Sequence, residues 1–143
     1  MSEERDLDAA GRWLEQAALD LLVAEDTRER HPHASCFYSQ QAAEKAVKAL
    51  LYAQGSERRT GHNILELVGR IPGGTDVIAA ADAMALDLLY QPTRYPDALQ
   101  GGVPGRLFTV AQADEALERA RRIVGVSGQL LASLGQTGAE EGT

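Results

Sequence analysis

The chain has 143 residues, 44% of them apolar and 24% charged, a globular balance that fits one domain and argues against global disorder. Its formal net charge of −7 opposes a nonspecific grip on a phosphate backbone, which scales with clustered Lys and Arg, while a local basic cleft or a basic protein partner stays open. No apolar run approaches the ~18–20 residues that span a bilayer, the acidic start Met1-Ser2-Glu3-Glu4-Arg5 is not a signal peptide, and the single Cys36 excludes an internal disulfide or a cysteine-rich zinc site, so the expected home is a reducing cytoplasm.

Leu7, Ala10, Leu14, Ala17, Leu21 and Ala24 recur at steps of three and four, which predicts a helix from about Asp6 to Glu29 with Arg12, Glu15, Gln16 and Asp26 facing water. The chain turns at His31-Pro32-His33. A second helix is expected from about Ala34 to Gln54, stopped by Gly55. Ala42, Ala43, Ala46, Val47, Ala49, Leu50, Leu51 and Ala53 cover so wide an arc that this helix belongs at the centre of the molecule. The narrow remaining arc is chemically mixed: Phe37, Gln41, Glu44, Lys45, Lys48 and Tyr52. After a polar turn, Asn63 with Glu66 reads as a capping box for a short helix to about Arg70, with Ile64, Leu67, Val68 and Ile71 as its apolar face. Pro72-Gly73-Gly74 breaks it, and Thr75 is the expected cap of a helix from about Asp76 to Leu89 that buries Val77, Ala81, Met84, Ala85 and Leu88. Tyr90 to Phe108 has no period and is rich in Pro and Gly; a loop of that length inside a domain is usually functional or disordered, and its aromatics argue that part of it packs. The last helix opens at Thr109, with Gln112 in the capping-box position, and its inner stripe runs from Ala113 to Leu134. Residues 135–143 read as a frayed tail. No segment alternates as a strand does, so residues 1–143 are expected to form a single all-α domain.

The string Phe37-Tyr38-Ser39-Gln40-Gln41-Ala42-Ala43-Glu44-Lys45-Ala46-Val47-Lys48-Ala49-Leu50-Leu51 is very similar to the signature of prokaryotic HEPN domains. Three further segments resemble the family's motifs in the expected order: Ala18-Leu19-Asp20-Leu21, Gly61-His62-Asn63 with Leu65, and Arg94-Tyr95-Pro96-Asp97. The resemblance implies an up-and-down bundle of four to five helices, commonly a homodimer, that binds nucleotide or RNA and acts beside a minimal nucleotidyltransferase, often as a toxin–antitoxin pair. It implies no cofactor. Many relatives are metal-independent ribonucleases that use an arginine followed a few residues later by a histidine. Here Arg94 stands in about the right place, but His62 is the last histidine in the chain. The obvious general base for a 2′-hydroxyl is therefore missing, and whether the chain is an enzyme stays open. Arg28 and His33 fit the spacing but lie at the end of the first helix, where the motif does not belong.

Each residue singled out has a functional and a plain reading. Gln41, Glu44, Lys45 and Lys48 can line a ligand cleft, or form a solvated stripe held by a Glu44–Lys48 pair. Arg94 and Tyr95 can bind phosphate and stack on a base, or Arg94 can pair with Asp97 or a first-helix carboxylate. His62 precedes a helix N-terminus and can serve acid–base chemistry, or sit in the turn with a structural hydrogen bond. His31, His33 and Cys36 lack a fourth metal ligand, so no metal is expected. Asp20 reads as a paired, half-buried carboxylate and Trp13 as a packing or dimer contact. The function expected is a nucleotide- or RNA-binding dimer working with a nucleotidyltransferase. Its rivals are a ribonuclease toxin built on Arg94 with His62 or Asp97, and a purely structural dimer module.

Overall fold

The computed structural model of the protein describes residues 6–99 and 101–141, the last six by their backbone. Helix α1 spans Leu7–Thr27, α2 Pro32–Ala53, α3 Ile64–Gly69, α4 Gly74–Val77, α5 Ala80–Asp87, α6 Pro104–Leu107 and α7 Val110–Glu141, with a 3-10 turn at Pro96–Ala98. No strand occurs among the described residues.

Local chemistry sets the helix ends. Asp6 caps α1 by accepting from the Ala9 N–H at 2.9 Å, and Pro32 opens α2, where its missing N–H leaves no helical bond unmade. At the far end of α2, Gly55 takes a φ of 72°. Its N–H donates to the Tyr52 carbonyl at 3.1 Å and the Ser56 N–H to the Leu51 carbonyl at 3.0 Å. Both bonds satisfy carbonyls that the helix leaves open. An L side chain in that left-handed conformation is strained, so Gly55→Ala should lower stability by about 1 kcal/mol in a urea titration. A change under a few tenths would show that the turn relaxes freely.

Helix α2 is central. Ala42, Ala43, Ala46, Ala49 and Ala53, with Val47, Leu50 and Leu51, are at most 1% exposed. Small residues on both sides, Ala10, Ala17 and Ala24 of α1 against the alanines of α2, let these two helices lie close along their length. On the other side α2 meets α7 and a cap made by α3 and α5, where Ile64, Leu67, Val68, Ile78, Leu86 and Ile123 complete the core. The Thr109–Gln112 box forms in both directions: the Thr109 N–H donates to Gln112 Oε1 at 2.8 Å and the Gln112 N–H to Thr109 Oγ1 at 3.1 Å.

Two expectations need correction. The helix expected over Asp76–Leu89 is broken at Ile78, whose φ of −110° and ψ of 117° are extended. Gly73, not Thr75, precedes the first piece. The apolar set expected inside is largely outside: Val77, Met84 and Leu88 are 45%, 55% and 76% exposed, and Ala81 is also exposed. The face turned inward carries Asp82, Ala83 and Leu86 instead, because Arg119 and Arg122 of α7 reach Asp82. The second difference is at the chain end, where α7 continues helically past Leu134 to Glu141. The frayed tail expected over 135–143 thus begins on helical backbone, and its last two residues lie outside the described residues.

Candidate functional site

The mixed stripe of α2 is the floor of the site, and Glu44 is its hub. The residue is only 3% exposed. It accepts from Gln40 Nε2 at 3.3 Å and from Lys48 Nζ at 3.2 Å. It also meets His62 Nδ1 at 3.3 Å. Gln40 is fully buried and in turn accepts from Gln41 Nε2 at 2.7 Å. Polar groups buried this far from water are retained only when paired, and each of these is. Lys45 leans the other way, to Asp20 of α1 at 2.5 Å, and Asp20 also accepts from Gln16 at 2.9 Å.

One wall comes from the α2–α3 turn and the segment after α5. Gly61, with a φ of 127° that only glycine adopts readily, delivers His62. The imidazole stacks on Tyr90, with ring centres 4.9 Å apart and planes 16° off parallel. Tight turns after α5 then bring Arg94 back: the Arg94 and Tyr95 N–H groups both donate to the Gln91 carbonyl, and buried Thr93 donates to the Leu89 carbonyl. The Arg94 guanidinium lies 4.1 Å from the Tyr90 ring centre, 5.0 Å from Tyr95 and 5.5 Å from Phe37, and its Nε donates to the Tyr90 carbonyl at 3.1 Å. Aromatic faces attract a cation but do not neutralise it. Arg94 has no carboxylate partner among the described residues.

The opposite wall is α1. Trp13 stacks on Tyr52 at 5.8 Å, with Lys48 Nζ 5.5 Å from its ring centre. Arg59 lies 4.4 Å above Tyr52 and donates to the Ser56 carbonyl. Basic and aromatic groups therefore alternate along the face, from Arg94 past Tyr90, His62, Lys48, Trp13 and Tyr52 to Arg59. Lys48 lies on it, and Lys45, the other lysine of the chain, stands at its border, turned to Asp20.

The structure thus gathers Glu44, Lys48, His62 and Arg94 around one face, with Gln41, Lys45 and Tyr95 at its borders. Asp97 is not brought in: it sits exposed in the 3-10 turn and forms no ion pair with Arg94. Nor does Arg94 reach a first-helix carboxylate. Sequence reasoning passes over Gln40, gives Tyr90 no role in the site, and offers Arg58 and Arg59 only as local positive charge near His62. The spacing of four between Gln40 and Glu44, and between Tyr90 and Arg94, is the available signal. Trp13, expected as a packing or dimer contact, lies within reach of Lys48. Arg28 pairs with Asp114 and Glu29, away from this face. Cys36 is fully buried, and burial pushes its thiol up to about 11, which keeps it protonated and a poor metal ligand. No three His, Cys, Asp or Glu residues cluster to hold a metal among the described residues, and no described helix is long and apolar enough to cross a membrane. A cavity of about 670 Å³ beside Arg58, Arg70 and Leu134 contains none of the site residues.

The model of the HEPN domain matches residues 10–130, so the chain belongs to the HEPN family. Two solved structures support this. TT1696 from Thermus thermophilus is 39% identical over 84% of this chain and 96% of its own, with a TM-score of 0.77. ST0689, described as an archaeal HEPN homologue, is 36% identical over 90% of this chain and 98% of its own, with a TM-score of 0.72. No curated protein matches.

Proposed function

We propose that this chain is the nucleotide- or RNA-binding half of a two-protein system, a cytoplasmic homodimer that acts with a minimal nucleotidyltransferase in the manner of a toxin–antitoxin pair. The observation that carries the binding reading is Arg94: a half-buried guanidinium fixed over three aromatic rings, with no acid to neutralise it among the described residues. A phosphate is the ligand such a fork suits, and Tyr95, 48% exposed, stands beside it for a base. Lys48 and Lys45 supply the remaining positive charge once a ligand phosphate competes for them with Glu44 and Asp20. The dimer and the partner rest on what is common among HEPN proteins.

A second reading rests on His62. Its Nδ1 is held by Glu44, which leaves Nε2 on an imidazole that is 60% exposed. A carboxylate-oriented imidazole, packed on the same Tyr90 ring as an arginine, can serve as the general base that a 2′-hydroxyl nucleophile needs. The histidine absent after Arg94 would then come from the turn before α3. Both readings meet in one measurement: binding of labelled RNA and its integrity, followed together for wild type, Arg94→Ala and His62→Ala. We expect Arg94→Ala to weaken binding by about tenfold or more, the loss of one charge-assisted contact of ~1.5–3 kcal/mol, with the RNA intact throughout. Cleavage by the wild type that vanishes in His62→Ala would replace the binding reading by the ribonuclease one. Unchanged binding in Arg94→Ala would remove Arg94 from the site.

A further inference from the structure

The α1 end of this face has a feature the nucleotide reading does not use. Arg12 is exposed and has no ion pair among the described residues. Trp13, the only tryptophan of the chain, is backed by Tyr52 on α2. Together with Gln16 these two residues line an open hollow of about 230 Å³. An aromatic ring beside an unneutralised guanidinium and an amide is the chemistry that takes one base and its phosphate. Distance separates the hollow from the Arg94 end. Arg94 lies against Phe37 and Trp13 against Tyr52, and the stretch of α2 between those two residues is about 22 Å long at 1.5 Å per residue. That exceeds the reach of one nucleotide.

Resting on the nucleotide- or RNA-binding reading above, we propose that Arg12, Trp13 and Gln16 form a second base-and-phosphate subsite, so that the natural ligand is a single-stranded oligoribonucleotide lying along α2 rather than a mononucleotide. A duplex does not fit this chemistry, because its bases have no free face to stack on Trp13. Lys48, between the two ends, is the cation nearest the intervening phosphates. The two-sided layout also explains how a protein of net charge −7 would bind RNA: the acids of the face, Glu44 and Asp20, are each already engaged by a lysine, and Arg12 and Arg94, which have no ion pair among the described residues, stand at the ends.

The sole tryptophan makes the test direct. Trp13 emission is followed while the full-length protein is titrated with AMP or with an oligoadenylate of roughly ten nucleotides, inside the ~4–16 nucleotides of known single-strand sites. Anisotropy of the same labelled oligomer is read in parallel. We expect the oligomer to quench Trp13 and AMP, held at the Arg94 end, to leave it bright. Trp13→Ala should weaken the oligomer about tenfold, the cost of one lost base stack, and AMP less than twofold. Because Trp13→Ala also removes a packed ring, Arg12→Ala is the companion variant: exposed, and without an ion pair among the described residues, it should keep the fold and weaken the oligomer alone. Oligomer binding with no quenching and no effect of either variant overturns the subsite and leaves the binding reading standing. Quenching by AMP, with AMP affinity lost in Trp13→Ala, overturns the division into two subsites. No binding of either ligand overturns both proposals.

Discussion

Glu44→Ala should lower stability by about 3–5 kcal/mol, the cost of removing one member of a buried ion pair and leaving the other unpaired. The Glu44 and Lys48 side chains are 5% and 10% exposed. With Glu44 gone, Lys48 loses its partner, and Gln40, fully buried, loses the acceptor of its amide. Glu44→Gln should cost less, because an amide oxygen still accepts from Gln40 and the stem still fills its place. The informative variant is Glu44→Met with Lys48→Met. Well-packed apolar side chains often match or exceed a buried ion pair in stability, since two desolvated charges disappear together. The double variant should unfold in urea above either single variant and short of wild type only by the ~1–3 kcal/mol that leaving the buried Gln40 amide without its acceptor costs. If the two losses simply add, the residues do not interact and Glu44 is not the hub. The double variant should also bind RNA poorly, since it has lost Lys48. A pair whose joint replacement costs little beyond the orphaned Gln40 amide, yet abolishes binding, is kept for its chemistry.

Buried polar groups of this kind mark the limit of what was legible from the sequence. Helix α2 was, because an arc of Ala, Val and Leu that wide has only one stable place, and because Gly55 marks its end. The box at Thr109 was too, being a contact between residues three apart. Helix α5 was not. Val77, Ala81, Met84 and Leu88 keep good helical spacing and still face out, because the break at Ile78 resets the phase and the two arginines of α7 make it favourable to turn Asp82 inward. No local pattern announces a partner some forty residues away. The site divides in the same manner. The α2 stripe and Arg94 carried recognisable residue types, whereas His62 meeting Glu44, and Trp13 meeting Lys48 and Tyr52, depend on how three helices pack. Asp97 looked like a partner for Arg94 by closeness in sequence, and the 3-10 turn at Pro96 carries it away.

Asp82 also sets how the protein should respond to acid. Hydrogen bonds from Arg122, together with its charge and those of Arg119, hold the carboxyl below the ordinary aspartate range against the opposing effect of burial. The contacts are short: Arg122 Nε at 2.9 Å and Nη2 at 2.8 Å, and Arg119 Nη1 at 2.9 Å. A carboxylate whose pKa is lower folded than unfolded binds fewer protons in the native state. Its contribution is complete above the unfolded value of ~3.9 and fades as pH falls through the folded one. Asp87 acts in the opposite sense. Burial holds its carboxyl above the ordinary value while it accepts from the Ile64 and Leu65 N–H groups. It opposes folding somewhat at neutral pH and returns part of that cost on acidification. The two effects make separable predictions. Asp82→Asn should lose about 2 kcal/mol at pH 7, the scale of hydrogen bonds to a charged group, and the difference from wild type should shrink as pH drops below ~4. Asp87→Asn should instead differ from wild type by an amount that shifts against it as pH drops, because only the wild type gains by protonation. Urea midpoints from about pH 7 down to about 3 distinguish these slopes. An Asp82→Asn difference that stays constant with pH would mean that the arginines hold the α5–α7 contact by geometry alone and not through the charge of Asp82.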